Sequence, residues 1–102
     1  MGTTVRPCVK TATKPKTARP PLYKVILLND DYTPREFVVQ VLKAVFRMSE
    51  EQANRVMMTA HRRGTCVVAV YTREVAETKA TEGTELGRKA GHPLQFTTQP
   101  EE

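Results

Sequence analysis

Leu22-Tyr23-Lys24-Val25-Ile26-Leu27-Leu28-Asn29-Asp30-Asp31-Tyr32-Thr33-Pro34-Arg35-Glu36-Phe37-Val38 is the stretch whose reading decides the fold. Its first seven residues are mostly apolar and follow Pro20-Pro21, which predicts a strand buried on at least one face. The polar cluster Asn29-Asp30-Asp31 ends that strand. Thr33, Pro34 and Glu36 then read as an N-cap, a proline at the first helical position and the acid of a capping box. Behind them Phe37, Val38, Val41, Leu42, Val45 and Phe46 recur at helical spacing and form a broad apolar stripe. A strand thus hands over to an amphipathic helix through a polar turn.

The same signals recur downstream. Ser49-Glu50-Glu51-Gln52 is a second capping box, with two acids on the positive end of the helix dipole. Ala53, Val56, Met57 and Ala60 follow at i, i+3, i+4 and i+7, and Glu51 with Arg55 makes an i,i+4 pair on the opposite side. Gly64 is the natural stop of this second helix. Cys66 to Tyr71 is short and β-branched, hence a second strand. Thr72 caps a third helix from Arg73 to Ala90, whose inward ridge is Ala76, Ala80, Gly83, Gly87 and Ala90. Each glycine costs about 1 kcal/mol of helix propensity against Ala, so the ridge implies close approach to a sheet or a neighbouring helix. Gly91-His92-Pro93 ends that helix and Leu94 to Thr98 is a last strand. The order β-α-α-β-α-β predicts an α+β fold, a two-layer sandwich of a three-stranded antiparallel sheet and three helices.

Charge divides the chain. Of 16 Lys and Arg, five (Arg6, Lys10, Lys14, Lys16 and Arg19) stand in residues 1–22, where there is no acid. The other 11 balance the 11 Asp and Glu of residues 23–102. Residues 1–21 also hold four of the seven prolines and cannot bury enough surface to offset the entropy of ordering, so they read as a disordered basic arm. Residues 22–98 form the core and residues 99–102 an acidic tail. An electrically neutral core argues against a nucleic-acid face on the fold. No apolar run approaches a membrane span, and no apolar segment follows Met1 as in a secretory signal. A short, serine-free transit peptide is the other reading of the arm. Cys8 and Cys66 lack metal or redox spacing and read as free thiols of a reducing cytoplasm.

Three features could carry chemistry. Asn29-Asp30-Asp31 suits a tight turn, since Asn and Asp bond their own backbone, and suits a divalent metal less well because no third acid follows at EF-hand spacing. His61 lies four residues beyond Met57 on one helix face and reads as a half-buried or dipole-pairing histidine unless a partner joins it. Met57-Met58 fills core, or walls a pocket for an apolar group. If Asn29 and Asp30 converged with His61 beside Met57, the site would suit an ammonium attached to an apolar side chain, because such a cation needs several acceptors. No nucleophile-and-base pair, HExxH motif or phosphate-binding glycine loop is present, so the chain reads as a binding protein without cofactor or metal.

Tyr23 to Pro34, Glu36-Phe37-Val38, His61 with Gly64, Glu74 to Lys79 and His92-Pro93-Leu94 together resemble the ClpS family, adaptors of the ATP-dependent Clp protease. The resemblance covers nearly all of residues 21–98. It implies an α+β adaptor of the N-end rule that holds proteins with a bulky apolar N-terminal residue (Phe, Leu, Tyr or Trp) and hands them to a ClpA- or ClpC-type unfoldase. Asn29, Asp30 and His61 would then bind the substrate's α-amine. Leu28, Thr33, Arg35, Val38, Met57, Ala60 and Leu94 would surround its first side chain. Glu74 and Lys79 would face the N-terminal domain of the unfoldase, and the arm would serve delivery. No nucleic acid, membrane or second copy is implied, so the expected state is a cytoplasmic monomer. Two positions depart from the family's commonest pattern: Arg35 stands where Met is usual and Ala60 where Val is usual. Arg35 is expected to stiffen or narrow the entrance and disfavour a basic second residue, and Ala60 to leave more depth for a ring. The competing readings are an RNA- or ribosome-associated protein working through the arm, and a small metal enzyme using Asp30, Asp31 and His61.

Overall fold

A computed structural model of the chain describes residues 21–101. The expected arm lies, except for Pro21, outside the described residues. The chain runs β1 (Leu22–Leu28), α1 (Arg35–Phe46), α2 (Glu50–Arg63), β2 (Thr65–Thr72), α3 (Arg73–Lys89) and β3 (Gln95–Pro100). This is the expected order, with the last strand starting one residue later and running two further. The sheet is antiparallel throughout, with β1 central in the order β2-β1-β3.

β1 sends Val25 and Leu27 into the core, both almost fully buried, as the period of two requires. Pairing with β2 steps from Val25–Ala69 to Ile26–Val67, which makes Val68 the extra residue of a β-bulge. The bulge explains why β2 shows no clean alternation. Cys66, Val68, Ala69 and Tyr71 all reach the core, while Val67 and Val70 stay exposed.

The stripe of α1 buries Val38, Val41, Leu42, Val45 and Phe46, with Leu42 fully enclosed. Such a residue is worth roughly 1.5–3 kcal/mol of burial. The Phe46 ring meets Phe96 of β3 at a centroid distance of 5.3 Å, tying α1 to the sheet. The Ser49 hydroxyl accepts from the Gln52 N–H at 3.1 Å, so the second capping signal forms. Gly64 closes α2 with φ 91°, a conformation glycine adopts without the penalty of a Cβ.

The ridge of α3 lies on the sheet. A Cβ on Gly83 would stand 2.6 Å from the Phe96 ring, and one on Gly87 would stand 2.8 Å from Leu94 Cβ. Glycine is required at both positions for the helix to approach this closely.

Three local expectations fail. The capping box at Thr33 does not form: Pro34 is itself the cap residue, and α1 starts at Arg35 with no side-chain cap. The Thr33 hydroxyl instead donates to Asp30 Oδ2 at 2.9 Å. Thr72 precedes α3 in extended geometry but likewise makes no side-chain cap. Glu51 and Arg55 do not pair; the ion pairs among the described residues are Lys43–Glu50, Arg73–Glu77 and Glu85–Arg88. On an exposed helix face such a pair is worth only a few tenths of a kcal/mol, so α2 loses little by its absence.

Candidate functional site

The site grows from the end of β1. Beyond Leu28 the chain turns, and Asp30 organises the turn. Its Oδ1 accepts from the Tyr32 N–H at 2.8 Å and the Thr33 N–H at 2.7 Å, while Oδ2 takes the Thr33 hydroxyl. This is the side-chain mimicry of a backbone turn that Asp favours. Partial burial raises the Asp30 carboxyl, but those three hydrogen bonds, with the charge of His92 adding, outweigh it and hold the group below its ordinary range. Three of the roughly four acceptor positions of a carboxylate are thereby engaged inside the turn. The remaining free lone pair lies on Oδ2.

One long-range hydrogen bond places this turn beside α2. The Asn29 N–H donates to the Gly64 carbonyl at 2.9 Å, fixing Asn29 one turn away from His61, near the end of α2. The positive φ of Gly64 turns that carbonyl toward β1. No period in the sequence encodes this contact.

The result is a cavity of about 200 Å³ between β1, α1, α2 and the segment leading to β3. Leu27 and Leu28 come from β1, and Asn29, Asp30, Asp31 and Thr33 from the turn. α1 supplies Arg35 and Val38, α2 supplies Met57, Ala60 and His61, and Leu94 closes the floor. Every residue expected to bind an amine or an apolar side chain therefore lines this one cavity. Leu27 and Asp31 line it as well; neither is among the residues expected to hold the amine or the side chain, Leu27 because its pattern is that of an ordinary strand residue and Asp31 because its signals are those of a turn or a metal ligand. Val38, Met57, Ala60 and Leu94 are buried, whereas Asn29, Asp31, Arg35 and His61 are exposed. Depth is apolar and the mouth is polar.

The mouth has its own contact. An Arg35 guanidinium nitrogen stands 3.2 Å from His61 Nε2, bridging α1 and α2 over the cavity. His92 takes no part in the lining. Its ring packs edge-on against Phe37 at 4.8 Å, and its charge acts on Asp30. Glu74 and Lys79 lie elsewhere, on α3. Glu74 is exposed, and the Lys79 ammonium donates to the Val45 carbonyl at 2.9 Å, at the end of α1.

Among the described residues no group of three His, Cys, Asp or Glu side chains could hold a metal ion, so Asp30, Asp31 and His61 do not form the cluster that the metal-enzyme reading required. No helix among those residues is long and apolar enough to cross a membrane.

A cavity of this size matches one aromatic ring, since an apolar cavity of about 150 Å³ takes up benzene. With carboxylate, amide and imidazole acceptors at the mouth, it can hold an apolar side chain and a cation attached to it at once.

Comparison with known proteins gives the same picture. The family described as ATP-dependent Clp protease adaptor protein ClpS matches residues 18–97. The chain is 67% identical over 93 residues to the ATP-dependent Clp protease adapter protein ClpS 2 of Mesorhizobium japonicum, covering 91% of this chain and 92% of the relative. It is 69% identical over 93 residues to the ClpS 2 of Agrobacterium fabrum, with 91% and 90% covered. It is 53% identical over 94 residues to the ClpS of Roseobacter denitrificans, with 92% and 83% covered. A solved structure of Agrobacterium tumefaciens ClpS2 bound to L-phenylalaninamide superposes with a TM-score of 0.81 at 71% identity, covering 81% of this chain and all of that one. The two-layer fold, the order of its elements and the match along most of its length make this chain a member of the ClpS family of ATP-dependent Clp protease adaptors.

Proposed function

We propose that the cavity receives the first residue of a protein whose N-terminus is free, bulky and apolar, and that this chain delivers such proteins to a ClpA- or ClpC-type unfoldase for degradation. The observation that carries the reading is the pairing of an apolar, ring-sized depth with a rim of acceptors. L-Phenylalaninamide, the ligand of the related ClpS2 structure, has that chemistry: a free α-amine, an aromatic side chain and a capped carboxyl, as at the start of a polypeptide.

In this reading Asn29, His61 and the free lone pair of Asp30 receive the α-ammonium, with the Asp30 charge adding attraction. Leu28, Thr33, Val38, Met57, Ala60 and Leu94 enclose the side chain, and Ala60 keeps the floor deep. Replacing Phe by Ala at the ligand's first position forfeits about 1.5–3 kcal/mol of burial, roughly a ten- to hundredfold loss. Acetylation removes the charge and leaves the acceptors that the ligand covers unpaired. Glu74 and Lys79 of α3 face the N-terminal domain of the unfoldase, and the chain acts as a cytoplasmic monomer.

Fluorescence anisotropy with labelled peptides beginning with Phe, Leu, Ala or acetylated Phe tests the site. Binding is expected for Phe and Leu, and is expected to be lost on acetylation and in Asp30→Ala. Equal binding across the set, or none, refutes the reading. Delivery is tested separately by ATP-dependent degradation of a reporter that begins with Phe, which must require this chain and fail with Glu74→Ala and Lys79→Ala.

A further inference from the structure

We propose that Arg35 is a latch on the amine site: it occupies the lone pair of His61 that an incoming ammonium needs, and it must release that lone pair before a ligand can bind. The inference rests on the proposed function and adds a residue that sets the affinity threshold.

The argument is one of donor and acceptor supply. A guanidinium carries only donors, so at 3.2 Å from Arg35 the Nε2 of His61 offers its lone pair. The neutral ring has one acceptor nitrogen and one N–H, so the hydrogen then sits on Nδ1. An α-ammonium also carries only donors. With Nε2 occupied and Nδ1 protonated, His61 has nothing to offer it.

Two routes relieve the conflict, and both displace Arg35. The ammonium can take Nε2 itself, or it can take Nδ1 after the ring hydrogen moves to Nε2, where it meets the guanidinium head-on. The two cations also repel each other at the narrow mouth. Arg35 and His61 are both exposed, so the closed latch is a shallow minimum and opens readily.

A latch of this kind lowers the apparent affinity of every ligand by the same factor, because only the open fraction of the protein can bind. It leaves the ratio between Phe and Leu unchanged and pushes weakly held N-termini below the working concentration. An Arg35 that narrowed the entrance would act on the first side chain instead and change the ratio. The two mechanisms are therefore separable.

The experiment measures anisotropy for peptides beginning with Phe and Leu on wild type, Arg35→Leu and Arg35→Lys. It is paired with ¹⁵N NMR of the His61 ring in the free and Phe-bound states. Arg35→Leu should tighten both peptides by about three- to fivefold, the scale of an exposed charged contact, with the Phe-to-Leu ratio kept. Arg35→Lys, which retains a cationic donor, should fall between the two. The wild-type free ring should carry its hydrogen on Nδ1 and should lose that bias in Arg35→Leu. Unchanged or weaker binding by Arg35→Leu overturns the latch, as does a shifted ratio or a ring tautomer indifferent to the substitution. If wild type and variants all fail to bind either peptide, the reading of the site itself fails and the latch falls with it. If wild type binds but the variants match it, only the latch fails.

Discussion

Along α3 a methyl group added to Gly83 would collide with the Phe96 ring at 2.6 Å, whereas the end of β1 leaves about 200 Å³ unfilled. Both regions are helix-on-sheet contacts in one small fold. On the α3 side two glycines let the backbone sink onto Leu94 and Phe96. On the cavity side β1, α1 and α2 surround a space that their buried apolar side chains line without filling. Close packing supplies stability there, and the gap supplies the proposed binding site here. Empty apolar space carries a cost in lost contacts, so the packed region has to offset what the open one lacks.

Gly87 is the residue at which the two regions meet, because its neighbour Leu94 is also the cavity floor. Gly87→Ala should have the largest effect. The clash involves Leu94 Cβ at 2.8 Å and its carbonyl oxygen at 3.4 Å, atoms that no side-chain rotation can move away. Overpacking on the scale of 1–3 kcal/mol should outweigh the gain in helix propensity, giving a net loss of about 2 kcal/mol in urea unfolding. Phe-peptide affinity should fall about tenfold in the same protein. Full affinity in the destabilised variant would show the regions to be independent.

Gly83→Ala should sharpen the contrast by touching one region alone. Its clash is with one edge of the Phe96 ring, which packs against Phe46, so the net loss should be about 1 kcal/mol. Peptide affinity per folded molecule should stay unchanged. Adding Phe96→Leu should recover part of the loss relative to Phe96→Leu alone, a coupling that a double-mutant cycle reads directly.

Asp30 sharpens the comparison from the cavity side. Its carboxyl is held below its ordinary range in the folded state by the hydrogen bonds of the turn, so the charged form favours folding. That contribution is complete above the unfolded value and is lost as pH falls through the folded one. The Tm gap between wild type and Asp30→Asn should therefore narrow on acidification below about pH 4. A gap constant down to pH 2 would mean that the turn does not depend on the Asp30 charge.

The smallest effect is expected where neither region is touched. Arg47 ends α1 with φ 58°, a left-handed conformation costly for any residue with a Cβ. Arg47→Gly should raise stability by about 0.5–1 kcal/mol, with binding unchanged, as chemical denaturation and anisotropy would show.

Much of this molecule was legible in its residues. Apolar periods and the Ser49 and Gly64 signals located all six elements, because each depends on contacts within a few positions. The small ridge of α3 announced a close approach without saying to what; the structure answers with Leu94 and Phe96 of the β3 side. Thr33 does not cap α1 because its hydroxyl is engaged by Asp30 inside the turn, and capping rules weigh only the helix. The bulge at Val68 was likewise invisible, since it depends on how β1 and β2 align.

By itself, then, the sequence determined the elements, their order and the polar character of the turn after β1, all of which follow from local propensity and patterning. Resemblance to a known family supplied the roles proposed for Asn29, Asp30 and His61. Tertiary structure alone decided that these residues meet: the bond from the Asn29 N–H to the Gly64 carbonyl brings together segments 35 residues apart. The cavity and the grip of Arg35 on His61 also exist only there. Each depends on the distance between groups from different elements, a quantity that no spacing along the chain contains.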